Sequence, residues 1–397
     1  MYKKDFPIFQ NNPGMIFLDN AASTQKPKYV IDGVNYFVSN DYANIHRGAY
    51  HLSEKSEEIY QESKKIVAEF LNCKTSEIMY NYNATHGFNI VAQSLVNSGF
   101  LKKGDKVLLG IWEHHANIVP WQILSKIFGF QIDFIGISKG CEIDRDDFSK
   151  KYDKSVKVVS IGHVSNVTGK IYDVKKIKSL LREDTFFIVD GSQSFPNMKI
   201  DVQNIGCDCF VFTAHKVMAY TGIGVMYLKK DWIKKLTPML SGGGAIRDVD
   251  LFGHTVPNDY SKFEAGTPNI IGAISLLKSL EYVKSIGGVQ KIREHEQKLI
   301  KYSLDRFTKL KDKVKLIGPK TKDRTAVFSF FIPENKNFNN IGEIFAQHNI
   351  AIRCGGHCAY PIHKDLNIPG TCRMSAYLYN DISDLKNFFD ILESIVQ

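Results

Sequence analysis

Between about residues 75 and 230 the chain alternates short apolar, β-branched runs with polar, helix-like or loop stretches. The runs are EIMYNYN, KVLLGI, QIDFIGI, VKVVSIG, FFIVDG, CFVFTAH and GVMYLKK. Short runs this uniformly apolar read as strands buried on both faces, and the stretches between them provide the crossovers. The pattern predicts an α/β domain with a mostly parallel sheet and helices on both faces. Ahead of it, Pro27 stands where a helix would begin, and SEKSEEIYQESKKIVAEFLN, starting at Ser53, carries apolar residues at helical spacing.

After about residue 270 the pattern changes to a long helical stretch, then the strand-like RTAVFSFFIP, NIAIRC and TCRMSAYLY, then a closing helix. Leu385, Phe388, Phe389, Leu392 and Val396 mark the apolar face of that helix, with Ser383 as its expected N-cap. The chain is therefore expected to divide into a large α/β domain over 15–265 and a smaller α+β domain made of 1–14 and 266–397. It contains no internal repeat, low-complexity tract or long linker, so the two are expected to pack firmly.

With 397 residues, 44% of them hydrophobic, the chain is long enough for two domains around a substantial core. The net charge of +9 comes from lysines scattered along the whole sequence, which disfavours a nucleic-acid or membrane footprint and mildly favours an anionic ligand. The segment MYKKDFPIFQNNPG lacks the apolar run of a signal peptide and no apolar stretch approaches a membrane span, so a cytoplasmic protein is expected. Seven cysteines, an odd number spread through such a chain, read as thiols and not as a disulfide framework. Cys207 and Cys209 flank Asp208 just before FVF, where alternation would place both on one face of a strand as small buried hydrophobes.

Two strand ends carry candidate chemistry. FFIVDGSQSFPN ends an apolar strand in Asp190, at the edge where α/β sheets bind ligands. The next strand ends in FTAHKVMAYTGIG, which brings His215 and Lys216 to the same edge. Asp190 and Lys216 lie 26 residues apart, one β-α-β step. An acid that keeps a pyridine nitrogen protonated and a lysine that holds an aldehyde are what pyridoxal 5'-phosphate requires to act as an electron sink. For its phosphate, NATHG (83–87) follows a strand and opens a helix, offering backbone N–H groups and the Thr85 hydroxyl, with Thr213 and His215 on the other side. The stretch IRCGGHCAYP, 352–361, has three readings: a metal clip, a buried pair of thiols, or a mobile loop presenting one reactive sulfur. CxxHC is not a usual zinc spacing, and no metal is expected.

FLDNAASTQKP, YANIHRG, EHHANIVPWQ, HVSNVTG, VDGSQS, TAHKVMAYTGIG, FEAGTPN, GGHCAYP and CRMSAYLYN occur in one order and spacing along nearly the whole chain. In this the sequence resembles the group II cysteine desulfurases of the SufS/CsdA type, class V aminotransferases within the fold type I (aspartate aminotransferase-like) pyridoxal-phosphate enzymes. The resemblance implies a homodimer that converts L-cysteine, or L-selenocysteine, to alanine and leaves the sulfur on an enzyme cysteine. A small acceptor protein would then take it towards iron–sulfur clusters or another thio-cofactor. It makes Lys216 the lysine bound to the cofactor, Asp190 the partner of the pyridine nitrogen, Gln193 that of the ring's 3-oxygen, and His114 the imidazole stacked on the ring. Thr85, beside Ala84, together with Thr213 and His215 would hold the phosphate, with Thr267 reaching in from a second subunit. Asn166 and Arg373 would bind the substrate carboxylate, Arg353, His46 and Arg47 would line the same site, and Cys358 would be the sulfur-accepting nucleophile.

The chain departs from the family at Cys354, at Ala84 and His86, and in a relatively short segment between SGGGA and FEAGTPN that could still make the family's interface hairpin. Cys354 stands where the family usually has another residue, which raises a persulfide-resolving role or a disulfide with Cys358. Ala84 and His86 replace residues of the family's TTEG. His357, beside Cys358, is placed to favour its thiolate, and Gly355 and Gly356 to free the loop. A selenocysteine lyase, a cysteine-sulfinate desulfinase, an aminotransferase or a non-catalytic scaffold on the same fold remains an alternative at this stage.

Overall fold

A computed structural model describes residues 2–46, 48–334 and 337–397. Seven strands form the main sheet: β1 (Ile78–Asn81), β2 (Lys106–Gly110), β3 (Gln131–Ile135), β4 (Val156–Gly162), β5 (Phe186–Asp190), β6 (Cys209–Thr213) and β7 (Gly224–Leu228). Their order across the sheet is β1-β7-β6-β5-β4-β2-β3, and β7 alone runs antiparallel to its neighbours. These are the seven runs picked out by hydrophobicity.

Side-chain alternation explains why the central runs, β5 and β6, are apolar almost throughout. Phe187 and Val189 enter one core with Phe210 and Phe212, while Phe186 and Ile188 enter the core on the opposite face with Cys209 and Val211. Cys207 and Cys209 therefore do not share a face. Cys207 precedes β6 and packs in the first core, Cys209 in the second, because the period of two starts only where the strand does. Both are buried, as expected.

Helices α1 (Lys28–Asn40), α2 (His51–Leu71) and α3 (Ala84–Asn97) precede or enter this unit, and α4 (Ile270–Ser285) packs on α1 and α2. Beyond α5 (Gly288–Lys309), a four-stranded antiparallel sheet joins β8 (Lys315–Ile317), β9 (Val327–Phe331), β10 (Arg353–Gly355) and β11 (Thr371–Ser375) in the order β8-β9-β11-β10. Helices α6 (Phe338–Gln347) and α7 (Ile382–Ile395) cover it. The packing draws the line between the units elsewhere than at 15 and 265. Ile270, Ile274 and Leu277 of α4 belong to the large core, whereas Ile16 and Leu18 lie in the smaller one, with Ile16 paired to Ile350.

The start of α7 differs from expectation as well. Its N-cap is Asp381, whose carboxylate accepts from the amides of Ser383 and Asp384 in a capping box. Ser383 is thus inside the first turn, because an acid two residues earlier satisfies the orphan amides better. Among the described residues no helix is long and apolar enough to cross a membrane.

Candidate active site

The carboxyl ends of β4, β5 and β6, the first turn of α3 and the segment between β10 and β11 close around a cavity of about 360 Å³. Thirteen of the residues singled out in the sequence line it: Ala84, Thr85, His114, Asn166, Asp190, Gln193, Thr213, His215, Lys216, Arg353, His357, Cys358 and Arg373. The central pair comes from neighbouring parallel strands, since Asp190 is in register with Val211 of β6, and Lys216 follows in the tight turn Ala214–Lys216. Gly191 is needed behind Asp190, because a Cβ there would fall 2.0 Å from the Phe210 ring.

Burial dominates the electrostatics. It raises the Asp190 carboxyl, against a 2.8 Å hydrogen bond from the Ser192 amide and the attraction of Lys216. The Lys216 ammonium is lowered to about 8, chiefly by burial, with Asp190 opposing and Arg373 reinforcing the shift. His114 is lowered to about 3 by burial and then by Lys216, so its imidazole is neutral. Its Nδ1 accepts from the Ala116 amide at 3.1 Å, which assigns the proton to Nε2. Gln193 is fixed by donating to the Ala21 carbonyl at 2.8 Å.

The phosphate side consists of donors with spare capacity. Asn83 caps α3, taking the amides of His86 on its side chain and Gly87 on its carbonyl, which leaves those of Ala84 and Thr85 for an anion. Thr213 Oγ1 and His215 Nδ1 are buried without a protein partner. Buried polar atoms that face the same cavity and lack partners call for a ligand rich in acceptors. With Asp190 and Lys216 beside them, these residues fit pyridoxal 5'-phosphate. His215 is lowered to about 4 by burial and by Lys216, so it serves as a neutral imidazole.

On the opposite wall, Arg373 is 2% exposed and donates to the Asn166 carbonyl at 3.0 Å and to Asp19 at 3.1 Å. Arg353, its register partner across β10 and β11, reaches the same Asp19 carboxylate at 3.1 Å. The cysteine loop hangs beside them. Asn166 Nδ2 donates to the His357 carbonyl at 2.8 Å, and the His115 amide donates to the Cys358 carbonyl at 2.7 Å. His357 and Cys358 both adopt left-handed φ, 50° and 53°, a costly conformation for two successive residues with side chains. The Cys358 side is exposed and borders the cavity.

Several expectations change. His357 does not supply a positive charge to Cys358: it is buried, its Nε2 lies 2.8 Å from Thr371 Oγ1, and burial with Arg373 lowers it to about 2. Of the glycines, Gly355 has φ 120°, while Gly356 admits Tyr360, whose ring would lie 2.2 Å from an added Cβ. Within its own chain, as for a residue expected to act on a second copy, Thr267 lies apart from this cavity with Tyr80 and His86, whereas His46, held by Glu57 at 3.0 Å, is not among the lining residues. Arg47 falls outside the described residues. Among the described residues no group of three or more His, Cys, Asp or Glu side chains is arranged to hold a metal.

Three lining or bracing residues escaped the sequence reading. Glu113 is buried at the cavity wall, accepting from the Gly162 amide at 2.7 Å and from Asn117 at 2.6 Å, and burial raises it to about 8. Trp112 stacks on Tyr172 behind it. Asp19 is the third; its only sequence signal was its place in FLDNAAS.

The aminotransferase class-V family matches residues 16–388. A probable cysteine desulfurase of Pyrococcus abyssi is 37% identical over 398 residues, covering 100% of this chain and 97% of the relative. A cysteine desulfurase of Wigglesworthia glossinidia brevipalpis is 38% identical, covering 98% and 95%. Among solved structures, the apo cysteine desulfurase of Thermococcus onnurineus NA1 superposes with a TM-score of 0.93 at 34% identity over 99% of this chain and 97% of that one. Cysteine desulfurase CsdA of Escherichia coli gives 0.90 at 26% identity, covering 99% and 97%.

Proposed function

The chain belongs to the class-V aminotransferase family, among whose cysteine desulfurases it finds full-length relatives, and on that premise we propose that it converts L-cysteine to L-alanine with transfer of sulfur to Cys358. The observation that carries this is one cavity holding Lys216, Asp190, Arg373 and Cys358 together.

Pyridoxal phosphate, when bound, supplies an aldehyde that captures an amine and a protonated ring that draws electrons from the substrate's α-carbon. Lys216, with its ammonium lowered to about 8, would hold that aldehyde and is placed to move the proton at the substrate's α-carbon. Asp190 would keep the ring nitrogen protonated, and the neutral His114 would line the ring without adding charge. Arg373, braced by Asp19 and the Asn166 carbonyl, orients the substrate carboxylate with its two-pronged fork. The Cys358 thiolate would attack the substrate's sulfur, the carbon–sulfur bond breaking with its electron pair left on the substrate's β-carbon, which takes a proton so that alanine leaves while the sulfur remains on Cys358 as a persulfide.

The finer assignments belong to the same proposal. A homodimer would bring Thr267 of a second copy to the phosphate, supported by the exposed hairpin Asp248–Val249/His254–Thr255, whose tip carries Leu251 and Phe252 at 91% and 98% exposure. The exposed position of Cys358 suits delivery to a small acceptor protein serving iron–sulfur cluster or other thio-cofactor assembly, and the seven free thiols suit a reducing cytoplasm.

The test is alanine and sulfide release from L-cysteine, with reductant, by the wild type and by Cys358→Ala, both first shown to carry cofactor. Wild-type turnover with a loss of about 100-fold or more in the variant supports the reading. Equal activity in the two proteins overturns it.

A further inference from the structure

The sequence alone leaves Cys354 to be paired with Cys358, but β10 and β11 place it opposite another residue. Cys354 and Cys372 are register partners in this antiparallel pair, and their Sγ atoms lie 3.0 Å apart. We propose that Cys354 and Cys372 are the site of a reversible cross-strand disulfide, separate from the thiol of Cys358 and independent of whether the chain acts on cysteine.

Register partners in an antiparallel pair have Cα atoms about 4.5 or 5.5 Å apart, and both spacings fall inside the roughly 4.4–6.8 Å that a disulfide spans. Closing the contact to a bond of about 2.05 Å therefore takes side-chain rotation and leaves the strands where they are. The two thiols are not equivalent. Cys354 is half-buried, whereas Cys372 is fully buried and borders a second, largely apolar cavity of about 320 Å³ between Phe331, Phe338 and Pro369. Sharing one proton between the sulfurs lowers the Cys354 thiol and raises that of Cys372. Cys354 is thus both the accessible sulfur and the better source of thiolate. Cys358, by contrast, faces the catalytic cavity, which Cys354 does not line.

The oxidant is a small-molecule disulfide, RSSR. The Cys354 thiolate attacks one sulfur of the reagent, the reagent's S–S bond breaks, and RS⁻ leaves with the electron pair. That RS⁻ takes the proton of Cys372, whose thiolate attacks the Cys354 sulfur and expels the second RS⁻, which is protonated by solvent. Two protein thiols are oxidised by two electrons and RSSR is reduced to two RSH. A reducing thiol runs the same steps backwards. Because Arg353 and Arg373 form the adjacent register pair, the bond staples the two strands that carry the arginines and lead into the Cys358 loop.

The test uses holoenzyme exposed to bis(2-hydroxyethyl) disulfide, then blocked with N-ethylmaleimide at acidic pH, digested with trypsin without reduction and read by mass spectrometry. Cutting at Arg353, Lys364 and Arg373 leaves Cys354 and Cys358 on one peptide and Cys372 on another. The expected product is these two peptides joined, in the wild type and in Cys358→Ser but not in Cys354→Ser, with the link removed by reductant. A link that persists in Cys354→Ser, a bond within the 354–364 peptide, or full maleimide labelling of Cys354 and Cys372 after saturating oxidant overturns the proposal.

Discussion

The strand-end platform and the cysteine loop border the same cavity but are built by opposite rules. Asp190 and Lys216 leave adjacent parallel strands whose residues are buried in two cores, so their spacing is set by the sheet. Residues 356–359 have no ladder. They hang from Asn166, His115 and Thr371, and pass through two consecutive left-handed residues. A proton transfer needs groups held within fractions of an ångström, whereas a sulfur that is first accepted and then handed on needs a carrier that changes place. On the proposed function, the difference between the regions would be the difference between those two tasks.

Substitutions on the platform should then abolish chemistry outright. Lys216→Ala is expected to lower alanine formation by about a thousandfold or more and to leave no cofactor attached after borohydride reduction, as read by intact mass. Activity within tenfold of the wild type would mean that another amine holds the cofactor and that the platform is not what distinguishes the regions. Between platform and loop stands Arg373. Arg373→Lys keeps the charge but loses the fork, so the KM for cysteine should rise by about 10- to 100-fold with a smaller effect on kcat. A pure kcat effect would move Arg373 from substrate binding to the chemistry.

A third measurement uses the Lys216 shift itself. An ordinary lysine is protonated up to about 10, but here the neutral, nucleophilic form prevails above about 8. Capture of pyridoxal phosphate by apoenzyme should therefore accelerate roughly tenfold per unit as pH rises to about 8 and level off beyond it. A rise continuing to pH 10, followed by the cofactor's absorbance, would show an unshifted lysine. The smallest effect belongs to the loop. Thr371→Val removes the hydroxyl 2.8 Å from His357 Nε2, a loss on the order of 1 kcal/mol. Alkylation of Cys358 should become severalfold faster with cofactor binding unchanged; an unchanged rate would mean that the loop does not depend on this anchor.

The platform was also the more legible region. Seven apolar-rich runs announced the sheet, most strongly in the central strands buried on both faces, and the acid and lysine stood at the ends of two of them. What stayed hidden depends on distant contacts or on register. Asp19 meets Arg373 across 354 positions, and no local pattern records such a pair. Cys372 opposes Cys354 only through the register of β10 and β11, so the reading by proximity reached for Cys358 instead. Proximity misled at His357 too, where adjacency to Cys358 pointed to thiolate activation while the fold buries a neutral ring against Thr371. Glu113 sat inside EHHAN, but only packing shows that a carboxyl there lies buried at the cavity wall.

The contact between Asp19 and the two arginines has a consequence for biosynthesis. Asp19 is held near Arg353 and Arg373 by the pairing of Ile16 with Ile350 and by the Asn20 side chain on the Ser375 carbonyl at 2.7 Å. A chain emerging from the ribosome completes the strands bearing Asp190 and Lys216 long before it releases Arg373. The Asp190 and Lys216 half of the pocket can thus form on the nascent chain, while the arginine half, which on the proposed function would bind the substrate carboxylate, waits for residues 353–373 to reach Asp19. A cofactor present during translation would meet a site able to hold it before that site is able to bind an amino acid.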